Sequence, residues 1–170
     1  MTTSNAVSAE FARLETILRD LLVLAGRLKD ILEEKRALLL ESRLDRLPPL
    51  IASEEKALAR LEERERDRYA LTTFIAVKLG LDDDATLSEI LAGADAATGH
   101  PLASLGKKLA AKMSEVREVN FSNAVLARNL AIYSEQILRM VTITTEHPNY
   151  GAEGGFEYEG LRRNLVDRKA

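Results

Sequence analysis

The residues best equipped for chemistry in this chain are few, and their spacing argues against catalysis. Asp82, Asp83 and Asp84 put three carboxylates in a row, but neither their spacing nor the residues after them make a calcium-binding EF-hand loop. Thr86 and Glu89 instead have the spacing of a capping box that opens a short helix through Leu91, and acids are favoured near a helix N-terminus. The two histidines, His100 and His147, fall in loops at opposite ends of a long helical segment, with no metal-ligand partner nearby in sequence. With no cysteine there is no disulfide, no thiol nucleophile and no Cys-ligated zinc. A phosphate-cradling loop, a G-x-S-x-G elbow, an H-E-x-x-H pair and inward Glu-x-x-His pairs are all missing. The sequence therefore predicts no catalytic residues, no metal site and no cofactor.

What remains is a chain built to pack helices. Of its 170 residues, 46% are hydrophobic and 30% charged, and the 4 prolines and 9 glycines fall mostly at segment ends or in the tail. That distribution predicts an all-α protein. Trp is absent and aromatic content is 5%, so the core must be Leu, Ile, Val and Ala. A net charge of -3 gives no general pull towards nucleic acid or an anionic membrane. The N-terminal segment has neither the basic nor the apolar region of a signal peptide, and the run from Leu21 to Gly26 is too short to span a bilayer. The expectation is a cytoplasmic protein without membrane insertion.

The organising stretch is Phe11 to Ser42. Phe11, Leu14, Leu18, Leu21, Ala25, Leu28, Leu32, Lys35, Leu39 and Ser42 are separated by alternating steps of three and four, a heptad seam. Ile17, Leu24, Ile31 and Leu38 form a second row beside it. Two rows mean that this helix meets more than one neighbour, or keeps apolar surface for a partner outside the chain. Ser8 is the expected N-cap, after a frayed leader over residues 1–7. Gly26 marks either a close backbone approach or a tolerated surface position.

A turn near Asp45 to Leu47 and a second helix from Pro48 to about Gly80 predict an antiparallel hairpin, with Leu47, Ile51, Leu58, Leu61, Ile75 and Leu79 as its apolar row. Its charged middle, Glu62 to Arg68, reads as a solvated face held by local pairs such as Glu62 with Arg66 and Glu65 with Arg68; Glu33 with Arg36 is a similar pair on the first helix. Gly93 to His100 reads as a small-residue loop, and Pro101 as the first turn of a third long helix reaching about Thr145. Asn120 and Asn123 lie on that helix's apolar stripe, where buried amides fix register or bond across helices. Tyr133 lies outside the main stripe, as a core edge or a contact residue.

Residues 1–145 thus predict an elongated helical bundle: a long antiparallel hairpin, a third long helix and a short extra one. Residues 146–170 are expected to form a flexible or docking tail, opened by His147-Pro148-Asn149-Tyr150-Gly151, with Tyr158, Leu161 and Leu165 at helix-face spacing. The order of these parts, together with Tyr150-Gly151-Ala152-Glu153-Gly154 and the ending Val166-Asp167-Arg168-Lys169-Ala170, resembles the FlgN family of flagellar export chaperones. The resemblance implies a cytoplasmic, non-catalytic protein that binds hook–filament junction proteins, prevents their premature association and delivers them to the flagellar type III export gate or its ATPase complex. The client-binding residues expected from position and apolarity are Leu130, Tyr133, Ile137, Met140, Tyr150, Tyr158, Leu161 and Leu165. A structural coiled-coil adaptor, acting as a homo-oligomer, is the alternative.

Overall fold

The computed structural model describes residues 3–92, 94 and 96–144. These residues form an all-α fold: α1 (Thr3–Leu40), a single 3-10 turn at Leu44–Arg46, α2 (Leu47–Leu79), the short α3 (Leu87–Ala92) and α4 (Ala96–Thr144). No strand occurs among them. The chain divides into two units, residues 1–128 and 129–170, with α4 contributing to both.

In the first unit, α1 is the shared wall. Along its seam Phe11, Leu14, Leu18, Leu21, Ala25, Leu28, Leu32 and Leu39 are all buried, because alternating steps of three and four keep one stripe inward. Each fully buried leucine contributes about 1.5–3 kcal/mol. Near the start of α1, Phe11, Leu14 and Leu18 meet Leu71 and Ile75 of α2, Ile90 of α3, and Leu102 and Leu105 of α4. Farther along, Leu28 and Leu32 pack with Val116 and Val119 of α4 and with Ala57 and Leu61 of α2. The main seam of α1 is thus consumed by neighbouring helices, while its second row is buried only at Leu38 and half-buried at Ile17, Leu24 and Ile31.

Ion pairs set the direction of the hairpin. Glu10 pairs with Lys78 at 3.7 Å, Asp20 with Arg64 at 3.5 Å, and Lys35 with Glu54 at 2.7 Å. Position climbs on α1 as it falls on α2, so the two are antiparallel. Lys35 is the one charged residue on the predicted seam, and it stays there because its ammonium reaches the half-buried Glu54 carboxylate. On α4 the order runs the other way: Glu115 meets Lys29 and Asn123 meets Leu32, so α4 lies parallel to α1.

Several expectations are corrected. Ser8 does not cap α1, which begins at Thr3, because Val7 is itself buried beside Phe11 and carries the seam one step earlier. On α2, Ile51 and Leu58 are exposed; the inward row passes instead through Leu50, Glu54, Ala57 and Leu61, its apolarity broken by the glutamate that Lys35 needs. The predicted loop over Gly93 to His100 gives way to helix from Ala96, so Pro101 lies inside α4. Burial of Leu102 and of Gly99, where an added Cβ would lie 3.4 Å from the Leu91 carbonyl, holds this early turn in place. Gly26 is not a close-approach site, since a Cβ there would meet nothing within 4 Å. Glu33 pairs with Lys29 rather than Arg36, while Glu65 and Arg68 pair as expected. Among the described residues Glu62 and Arg66 form no ion pair.

The helix ends explain the hairpin's punctuation. At the end of α2, Gly80 takes φ 72°, and the Leu81 N–H donates to the Ala76 carbonyl, the left-handed Schellman stop that glycine favours. At the end of α1 the same bond runs from the Arg43 N–H to the Leu38 carbonyl, but the left-handed residue is Ser42, at φ 55°. A serine there carries a Cβ cost that glycine lacks. Ser42→Gly is expected to raise stability by about 0.5–1 kcal/mol, read as an upward shift in thermal midpoint. An unchanged or lower midpoint would show that the Ser42 side chain contributes to the turn.

Candidate protein-binding face

Features that could serve catalysis are structural here. The Thr86 N–H and hydroxyl both donate to the Glu89 carboxylate, and the Glu89 N–H donates back to the Thr86 hydroxyl. This capping box holds Glu89 below its ordinary carboxylate range, first through the Thr86 hydroxyl and then through its backbone. The Asp82 and Asp83 carbonyls accept from Ala85 and Thr73, so the acidic loop is tied down through its backbone. Among the described residues no group of three or more acidic, histidine or cysteine side chains could hold a metal ion. His100 lies on α4 rather than in a loop, and His147 lies outside the described residues.

Electrostatics and one amide join α4 to α1. The Glu115 carboxylate accepts from Lys112 at 2.8 Å on its own helix and pairs with Lys29 of α1 at 2.9 Å. Those two ammoniums, Lys112 foremost, hold Glu115 at about 2, and Lys29 is raised chiefly by its bond to Glu115. A depressed acid lends stability that is complete above its unfolded value and is lost as pH falls through its folded one. For Glu115 that window runs from 4.5 down to about 2. Glu115→Gln should therefore flatten the fall in thermal midpoint across that window, while leaving the slope above it unchanged. Parallel profiles for both proteins would mean that the bridge does not couple the helices.

Farther along α4, the Asn123 amide donates to the Leu32 carbonyl at 2.7 Å, and its side chain is 1% exposed. Asn120 points outward instead, so only one of the two stripe asparagines is a cross-helix contact.

The second unit contains a different kind of surface. Leu130 is half-buried, and every residue from Ala131 to Thr142 is exposed. Leu130, Tyr133, Ile137 and Met140 follow steps of three, four and three, which places them on one helix face. Tyr133 and Ile137 are each about 60% exposed. The expected set is therefore brought together as far as it is described; Tyr150, Tyr158, Leu161 and Leu165 lie outside the described residues. Val141 widens the face, and Leu138 adds apolar surface that a heptad count passes over. Arg139 pairs with Glu135 on the same helix, and its side chain is well exposed. A surface of this kind suits a partner helix with its own apolar stripe; it offers no set of convergent polar groups for a reaction.

A family model described as FlgN protein matches residues 1–157. The chain belongs to the FlgN family. FlgN proteins are flagellar export chaperones rather than enzymes, so this chain's family role is the binding of flagellar proteins. No curated protein and no solved structure matches the chain. No helix among the described residues is long and apolar enough to cross a membrane.

Proposed function

We propose that this FlgN-family chain binds hook–filament junction proteins in the cytoplasm, keeps their association-prone terminal helices apart, and delivers them to the flagellar type III export apparatus. The observation that carries this reading is the exposed apolar row Leu130, Tyr133, Ile137 and Met140 on α4. A row with heptad steps completes a helical pair or bundle when an amphipathic client helix is laid against it. The tail residues Tyr150, Tyr158, Leu161 and Leu165 extend the proposed contact on the strength of their sequence spacing. In this reading residues 1–145 are the helical body and residues 146–170 a docking segment.

The test is calorimetric titration of the full-length chain with purified hook–filament junction protein. Saturable binding with a negative heat-capacity change, the mark of apolar burial, is the expected result. Absence of heat at any temperature, with no complex on gel filtration, would overturn the reading. Repeating the titration with residues 146–170 deleted separates the tail's share from that of α4.

A further inference from the structure

The hairpin carries a second candidate surface, on a part of the molecule that the chaperone reading does not use. A groove of about 450 Å³ runs between α1 and α2, lined entirely by residues of those two helices. Val23, 55% exposed, and the half-buried Leu24 supply its apolar part. Arg64 also lines it but is already engaged, with Asp20 across the hairpin and Asp67 on its own helix. Arg27 and Arg60 also line it, and among the described residues neither makes an ion pair or side-chain hydrogen bond. Asp20 and Glu63 complete the lining, Asp20 engaged with Arg64 and Glu63 without an ion pair among the described residues.

We infer that this groove docks an acidic amphipathic helix of a partner protein, with two of its carboxylates received by Arg27 and Arg60 and an apolar side chain between them against Val23 and Leu24. Charge complementarity selects the occupant: the unengaged charges here are two guanidiniums and one carboxylate, an excess of positive charge in a protein whose net charge is -3. Register supplies the spacing. The Asp20–Arg64 pair marks one level of the antiparallel hairpin. By the three pairs that cross the hairpin, and at about 1.5 Å per residue, Arg27 and Arg60 then lie within about 5 Å of each other along its axis. Two guanidiniums this close are within reach of acids three or four residues apart on one helix, a rise of about 4.5–6 Å. Guanidinium groups also suit carboxylates, since their forked donors bond them two at a time.

The test uses the full-length chain and two fluorescein-labelled synthetic helical peptides. One carries glutamates at i and i+4 flanking a leucine row; the other has lysines in their place. Fluorescence anisotropy is expected to show binding of the glutamate peptide alone, weakening as salt is added. The Arg27→Glu/Arg60→Glu variant should bind it at least about tenfold more weakly, because both charge-assisted bonds become repulsive. Glu63→Gln should bind it more tightly, since a like charge is removed. Circular dichroism should show no loss of helix in either variant, as none of the three side chains is engaged within the described residues. Failure of the glutamate peptide to bind, equal binding by the double variant, or equal binding of the lysine peptide would overturn the proposal. So would a dimer in sedimentation velocity that the double variant abolishes, because the occupant would then be a second copy of this chain.

Discussion

Asn123→Asp is expected to be the most damaging single-atom-scale change in the bundle. The wild-type amide donates to the Leu32 carbonyl at 2.7 Å, while its own oxygen, Oδ1, is buried with no partner among the described residues. Aspartate replaces that donor with a carboxylate oxygen facing a carbonyl, at a site 1% exposed beside Leu32. An unpaired buried charge costs on the order of 3 kcal/mol or more, which for a domain of this size lowers the thermal midpoint by about 6–12 °C. The carboxyl's folded pKa must rise above its unfolded value, so the gap to wild type should narrow as pH falls through that raised value and close at about 4. Once protonated, the acid can again donate to Leu32. Asn123→Leu separates the polar bond from the space it fills: it forfeits a bond worth about 1 kcal/mol but also removes an unpartnered acceptor. Its midpoint should stay within a few degrees of wild type. Thermal melts of the three proteins at neutral and acidic pH decide the matter, and an aspartate variant as stable as wild type would mean that water reaches Asn123.

That site also shows where sequence reading succeeds and where it stops. The seam of α1 was legible from Phe11 to Leu39, though not at Ser42, which is exposed past the helix end, because α1 is flanked by two helices and a heptad pattern is strongest when both sides are occupied. The inward row of α2 was not. Glu54, Glu65 and Arg68 occupy half-buried positions on it and satisfy their charges through Lys35 or through one another. Apolarity alone cannot reveal a row whose members are charged, so Ile51 and Leu58 looked more inward than they are. The two stripe asparagines were indistinguishable by spacing. What separates them is Val119, whose half-burial with Val116 turns the stripe towards Asn123 and leaves Asn120 outside.

The candidate site was legible as a row of residues but not as a surface. Leu130 and Ile137 continue a stripe that is buried at Leu102, Leu105 and Val116, with Tyr133 and Met140 beside it, and sequence alone cannot say where such a stripe passes from buried to exposed. The chemistry of the row is uniform; its exposure is decided by which neighbours it has. The arginine groove was invisible for a related reason. Arg27 and Arg60 are far apart in sequence, and only the hairpin register brings them to the same cleft.

The largest expected effect on function follows from that exposed row. Tyr133→Ala combined with Ile137→Asp should abolish measurable binding of hook–filament junction protein while leaving the fold intact. Both side chains are about 60% exposed, so their loss costs the free protein little. In a complex they would be the central aromatic and aliphatic contacts, each on the order of 2 kcal/mol. At 1.4 kcal/mol per factor of ten, the pair predicts a loss of roughly a thousandfold in affinity. Ile132→Asp is the control on the same stretch of α4: it changes a comparably exposed isoleucine, 42% exposed, but one turned about 140° around the helix from Ile137. It should bind client within a few-fold of wild type. Face specificity is what distinguishes docking of a client helix from general stickiness. Were Ile132→Asp to weaken binding as much as the double variant, the contact would be non-specific apolar adhesion. Were neither variant to weaken it, the client would bind somewhere other than this face.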